Sequence, residues 1–202
     1  RIWNVSAFLR NPPWIGSPPT LKGQRVYLRA PQLSDWSEWA RLRAASRDFL
    51  TPWEPTWLED ELTKNAYRRR LRRYARDSRD GVGYAFFVFR REDDCLLGGI
   101  TLSNVRRGVT QSCSMGYWMG QQYAGQGLMQ DGVTTSLSFV FDELGLHRLE
   151  AACLSTNDAS TTVLLKTGFQ KEGYARKYLR INGKWSDHVL FAMLQTDRKD
   201  DT

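Results

Sequence analysis

A glycine-rich turn between an apolar strand and a long helix constrains this chain more than any other feature. The segment from Ser112 to Phe141 reads as a strand, a turn spelled Gln122-Tyr123-Ala124-Gly125-Gln126-Gly127, and a helix expected over Met129–Leu144. Such a turn leaves backbone N–H groups without partners at a helix N-terminus, where the positive end of the helix dipole also lies. Those groups form a ready site for an anion. Glycines permit positive φ and a close approach of phosphates. Two familiar phosphate loops are excluded by spelling. A Walker A loop needs a lysine after its second glycine, and none follows Gly125 or Gly127. A dinucleotide fingerprint needs a third small residue, and Gln130 stands there. What remains is Gln-x-x-Gly-x-Gly, a pattern that a ligand-free strand–helix connection can also show.

The rest of the chain narrows the reading. At 202 residues, with 41% hydrophobic and 12% aromatic content, it suits one domain with a real core. No apolar run is long enough to span a bilayer, and the start lacks the pattern of a signal peptide. Cys95, Cys113 and Cys153 are widely spaced and form no Cys-x-x-Cys pair, so buried thiols in a reducing compartment, and no metal, are expected. His147 and His188 are the only histidines. The net charge of +7 is compatible with a polyanionic ligand, RNA or a nearby ribosome.

In chain order, residues 1–20 read as an extension, because Asn11 to Pro19 holds four prolines in nine residues. Trp3, Phe8 and Trp14 are its apolar anchors. Residues 21–196 read as the domain and 197–202 as a polar tail. Leu21–Ala30 alternates as one half-buried strand, and Ser34 or Asp35 caps a helix through Trp36, Trp39 and Leu42. Two prolines then bracket Trp53 and Glu54, holding a carboxylate in a stiff aromatic loop. A second helix is expected over Leu58–Asp77, with Leu62, Tyr67, Leu71, Tyr74 and Ala75 on its inner stripe and six arginines between Arg68 and Arg76 elsewhere. That arginine run reads either as a solvated face or as a contact for RNA or an acidic surface. Strands at 83–89, 95–102 and 112–119, with turns at 91–94 and 104–108, form an antiparallel meander. After the long helix come a strand at 147–154, a short helix at 157–166 capped by Asn157 or Asp158, and a hairpin turning at Asn182-Gly183.

This order and three spaced motifs resemble the GNAT N-acetyltransferases. The turn resembles their pyrophosphate-binding signature. Asn157-Asp-Ala-Ser160, closing as Gly168-Phe169 and Glu172-Gly173, resembles their later motif. Val26-Tyr-Leu-Arg29, Trp53-Glu-Pro55 and Gly116-Tyr-Trp118 resemble the branch of ribosomal-protein alanine and serine N-terminal acetyltransferases, RimJ and RimL. The resemblance covers about residues 21–196 and implies an α/β (α+β) GNAT fold, with a central mixed, mostly antiparallel sheet of about six or seven strands flanked by helices.

It also implies an acetyl-CoA-dependent, cytoplasmic enzyme that acetylates the α-amine of a protein beginning with Ala or Ser, a ribosomal protein foremost. Backbone groups of Gln122, Gly125, Gln126, Gly127, Leu128 and Met129 would hold the pyrophosphate. Those of Tyr117, Trp118 and Met119 would pair with the pantetheine arm as an added strand. Asn157 would touch the arm near the thioester, and Lys166 would either reach the nucleotide phosphates or stand in solvent. Many relatives carry a tyrosine acid on the helix after the Asn, where this chain has Leu164. Ser160 is the alternative acid, against an ordinary first-turn serine. Glu54 is the first candidate base and Glu150 the second. An α-amine has a pKa of about 8, so a weak base acting through water suffices, and no covalent enzyme intermediate is needed. Two other readings stay open: a small-amine acceptor, such as an aminoglycoside or polyamine, and a non-catalytic module that docks the arginine helix on RNA.

Overall fold

The computed structural model describes residues 17–198. Most of the proline-rich extension, with Trp3, Phe8 and Trp14, and most of the polar tail lie outside the described residues. One eight-stranded sheet organises the domain, in the order β1-β2-β3-β4-β5-β6-β8-β7. Its strands are β1 (Leu21–Lys22), β2 (Val26–Arg29), β3 (Tyr84–Arg90), β4 (Leu96–Arg106), β5 (Ser112–Met119), β6 (Arg148–Leu154), β7 (Gln170–Ile181) and β8 (Lys184–Leu194). All neighbours are antiparallel except β5 and β6. The helices are α1 (Trp36–Ala45), the single turn α2 (Arg47–Leu50), α3 (Lys64–Arg79), α4 (Leu128–Ser138) and α5 (Asp158–Lys166).

β3 shows why the sheet is central. Its Tyr-Ala-Phe-Phe-Val-Phe run is buried on both faces, as expected of a strand covered by helices on each side. Tyr84, Phe86 and Val88 pack with Val133, Val140 and Phe141 from α4 and the turn after it. Phe87 and Phe89 pack with Trp39 and Leu42 of α1 and Tyr67 of α3. The two faces are therefore distinct: α4 and α5 cover one, α1 and α3 the other.

Four boundaries differ from the sequence reading, each for a local reason. The expected strand at 21–30 is two short strands, because the chain turns at Gly23, whose N–H donates to the Val26 carbonyl. That division gives eight strands where six or seven were expected. α3 begins at Lys64 rather than Leu58, because Thr63 caps it by accepting from the Ala66 N–H at 3.2 Å. The preceding turn supplies Asp60 and Glu61, which pair with Arg69 and Arg70. β4 runs on to Arg106 through an irregularity at Asn104, where φ is +52°, so the turn falls later than 104–108. Finally, α4 passes into a π-helical turn over Phe139–Glu143, with Leu144 N–H donating to the Phe139 carbonyl at 2.8 Å. The widened turn lets three consecutive residues, Phe139, Val140 and Phe141, all be buried. The Asn182-Gly183 hairpin forms as expected, with positive φ at both residues.

Candidate active site

The glycine turn forms an open cradle at the start of α4. After β5 the chain makes a short 3₁₀ turn at Gln121–Tyr123 and reaches Gly125 and Gly127, with φ of +75° and +74°. Gly127 is the N-cap of α4 in the left-handed conformation. A β-carbon on Gly125 would meet nothing within 4 Å, so the cradle is open there. Asp131 is the first residue of the helix whose N–H reaches a backbone carbonyl, that of Gly127; the earlier amides face the turn. Leu128 and Met129 send their side chains into the core, which leaves only their backbone for a ligand. The Gln126 side chain folds back onto the Gln122 carbonyl at 3.1 Å. Tyr123 is anchored through its hydroxyl to the Cys95 sulfur at 2.9 Å.

Sequence reasoning missed two residues that complete this cradle. The Arg25 guanidinium donates to the Gln126 carbonyl at 2.9 Å, bringing a positive charge to the turn. Arg25 is held by Asp131, whose carboxylate accepts the backbone N–H groups of Gln24, Arg25 and Val26 at 3.2, 2.6 and 3.0 Å. The signal in the sequence was an aspartate in the first turn of α4, opposite an arginine just before β2. Lys166 stands exposed in the last turn of α5, with no hydrogen bond or ion pair among the described residues.

The second element is a wedge in the sheet. β5 and β6 pair only from Ser112–Arg148 to Met115–Ala151. Beyond that rung β5 continues to Met119 on β4 alone, and β6 to Leu154 on β8 alone. The edge of β5 from Gly116 to Met119 that faces β6 therefore carries unpaired backbone groups, and it runs into the cradle. The Trp118 side chain is not in the wedge. It lies over β4, where a β-carbon on Gly99 would come within 2.6 Å of its Nε1. The Trp118 carbonyl oxygen would lie 2.2 Å from one on Gly98. Gly99 thus makes room for the Trp118 ring and Gly98 for its backbone.

On the α5 side of the wedge, Asn157 caps its helix by accepting the Ser160 N–H at 3.0 Å. The Ser160 hydroxyl is 2.8 Å from the Tyr117 hydroxyl. Tyr117 is thus more than a source of backbone groups, because its phenol forms a pair with Ser160. Burial holds that phenol well above the ordinary tyrosine range, with the Ser160 hydrogen bond opposing. Leu164, where many relatives carry tyrosine, is buried in the core. In this chain a phenol reaches the wedge from β5 and not from α5. The Cys113 thiol is pushed up to about 12 by burial, which suits a packed residue and not a nucleophile.

On the other side lies Glu54. The Arg43 guanidinium grips its carboxylate with two bonds of 2.6 Å, and Trp57 Nε1 donates to Oε2 at 2.8 Å. A carboxylate offers about four lone-pair positions, so these three donors leave room for one more. Arg43 is itself sandwiched, 4.3 Å from the Trp57 ring and 4.9 Å from that of Trp118. The Glu54 loop is tied across to the β7–β8 hairpin, where Asn182 N–H donates to the Glu54 carbonyl at 2.8 Å. Glu150 occupies a different setting. Its carboxylate accepts from Arg148 at 2.9 Å and Arg106 at 3.0 Å, and Arg148 also pairs with Glu172. It stands opposite Ser114, beside the last paired rung. Both of its oxygens are engaged in an ion-pair network. His188 is buried, with Nδ1 at 2.9 Å from the Ser186 carbonyl oxygen and its ring against Tyr178. His147 is exposed.

An open glycine turn at a helix N-terminus, continuous with an unpaired strand edge, has the chemistry to receive an extended anionic ligand. Comparison with known proteins gives the particular family. Residues 25–170 match the model of the acetyltransferase (GNAT) domain. The chain is 36% identical over 177 residues to a probable N-acetyltransferase, YjcK, of Bacillus subtilis (strain 168), covering 88% of this chain and 98% of that protein. It is 35% identical over 154 residues to the ribosomal protein uS5-alanine N-acetyltransferase of Escherichia coli (strain K12), covering 76% and 79%. Among solved structures, Mycobacterium smegmatis RimJ in complex with CoA-disulfide superposes with a TM-score of 0.82 at 29% identity, covering 90% of this chain and 88% of that one. The chain belongs to the GNAT N-acetyltransferases.

Proposed function

We propose that this enzyme moves an acetyl group from acetyl-CoA to the N-terminal α-amine of a protein beginning with Ala or Ser, a ribosomal protein foremost. The observation that carries the reading is the unpaired edge of β5 leading directly into the cradle at Gly125–Gly127. The relatives that act on ribosomal proteins supply the acceptor class.

The cradle amides from Gln122 to Met129, with Arg25, hold the pyrophosphate, and Lys166 meets the nucleotide phosphates. Backbone groups of Tyr117, Trp118 and Met119 hold the pantetheine arm, and Asn157 meets it near the thioester. The co-substrate supplies an acetyl thioester that a neutral amine attacks directly. Glu54, with its one remaining acceptor position, takes the amine proton through water. Glu150, set back beside the last paired rung of β5 and β6, is the second choice. Ser160 passes a proton to the departing sulfur and takes one back from water, while the Tyr117 hydroxyl hydrogen-bonds to it and orients it. A backbone N–H on the β5 edge polarises the carbonyl. Exposed arginines on α3, among them Arg68, Arg72, Arg73 and Arg76, form a face for ribosomal RNA or an acidic surface.

The test is thiol release from acetyl-CoA with short peptides that differ only in their first residue, run beside aminoglycosides and spermidine. Turnover confined to Ala- and Ser-starting peptides is the expected result. Turnover with the small amines alone removes the protein acceptor. Coenzyme A binding with no turnover favours a non-catalytic module.

A further inference from the structure

Gly116 is a glycine the fold does not require. It sits in β5 opposite Thr101, and its φ is not positive. Glycines on β4 and just after β5 show what a required glycine looks like. β-Carbons on Gly98, Gly99 and Gly120 would come within 2.2, 2.6 and 2.4 Å of existing atoms. A β-carbon on Gly116 would meet nothing within 4 Å. Glycine inside a strand weakens it through lost chain entropy and an absent side chain, so a residue with no steric demand on it is unexpected here.

Its position gives the reason. Met115–Ala151 is the last rung between β5 and β6, so Gly116 is the first residue of the open wedge, with Ala152 facing it across the gap. Side chains alternate along a strand. Gly116 therefore shares the face of Trp118, the face on which Arg43 and Glu54 lie, and not that of Tyr117 and Ser160. An acceptor amine approaching from the Glu54 side must cross the place where a side chain at 116 would stand.

Resting on the proposed acetyl transfer to a protein N-terminus, we infer that Gly116 is a specificity-determining residue: its missing side chain is the space occupied by the first residue of the acceptor. The donor binds along the backbone edge and in the cradle, and so does not depend on that space. A side chain at 116 obstructs the acceptor and leaves the donor and the fold intact.

The experiment compares the wild-type chain with Gly116→Ala and Gly116→Val, using whichever acceptor from the panel the wild type turns over best. Expected are an acceptor KM raised at least tenfold in Gly116→Val and by a smaller factor in Gly116→Ala. Coenzyme A affinity should stay within twofold, and the melting temperature should be unchanged or higher. An unchanged acceptor KM in Gly116→Val overturns the inference. So does a matching loss of coenzyme A affinity, which would give the space to the donor. A lowered melting temperature would make the glycine structural and overturn it as well. If the wild type uses only small amines, the protein-acceptor reading fails while the KM for those amines still decides the role of Gly116. Absence of turnover with every acceptor removes both.

Discussion

Replacing Arg43 with methionine tests whether the Glu54 loop is held chiefly by one ion pair. The Arg43 side chain is 7% exposed and that of Glu54 20%. Breaking a fully buried pair from one side costs about 3–5 kcal/mol. The partial exposure of Glu54 reduces this to about 2–3 kcal/mol, since water can solvate the freed carboxylate. Loss of the guanidinium between Trp57 and Trp118 adds about 1 kcal/mol. The total of about 3–4 kcal/mol corresponds to a fall in melting temperature of roughly 6–16 °C for a chain of this size. Much of the loss should be shared with Glu54. A double-mutant cycle of Arg43→Met and Glu54→Gln, read by denaturant unfolding, should show a coupling of about 2 kcal/mol. Additivity within about 0.5 kcal/mol would refute the reasoning, because it would mean that the two side chains do not stabilise each other.

Three further outcomes follow from the geometry. Ser160→Ala should lower kcat by about a hundredfold and Tyr117→Phe by about tenfold, with the acceptor KM little changed in steady-state assays; equal kcat values would remove the Ser160–Tyr117 pair from proton delivery. Asp131→Ala should cost about 2 kcal/mol, since three backbone donors lose a charged acceptor, and should weaken coenzyme A binding in calorimetric titration by freeing Arg25. Acid should destabilise the fold through Glu172, whose carboxyl Arg148 holds below its ordinary value. A depressed folded-state pKa contributes stability above the unfolded value that is lost as pH falls through the folded one, so the melting temperature should drop below about pH 4.5. Arg148→Met should flatten that drop.

Local order was legible where spacing alone encodes it. The Asn182-Gly183 turn, the Asn157 cap and the Gly125–Gly127 turn each depend on a few adjacent residues, and each appears where the sequence places it. What sequence could not show was side-chain partnership across distant segments. Arg43 reads as one more helical cation until Glu54 closes on it. Arg25 reads as the polar half of a strand until Asp131, over a hundred residues on, fixes its backbone. Tyr117 reads as a source of backbone groups until the fold brings its phenol to 2.8 Å from the Ser160 hydroxyl, 43 residues on. The π-helical turn was invisible for another reason: a regular helical stripe through Val133, Leu137, Val140 and Phe141 looks the same whether or not one turn is widened.

The bond from Asn182 to the Glu54 carbonyl has a mechanical consequence. Glu54 stands on the bank of the wedge belonging to β5, through Arg43 and Trp118, whereas Asn182 belongs to the hairpin on the bank of β8. The two loops make a span fastened at both ends. A span of that kind couples its two banks, so loosening either loop frees the other.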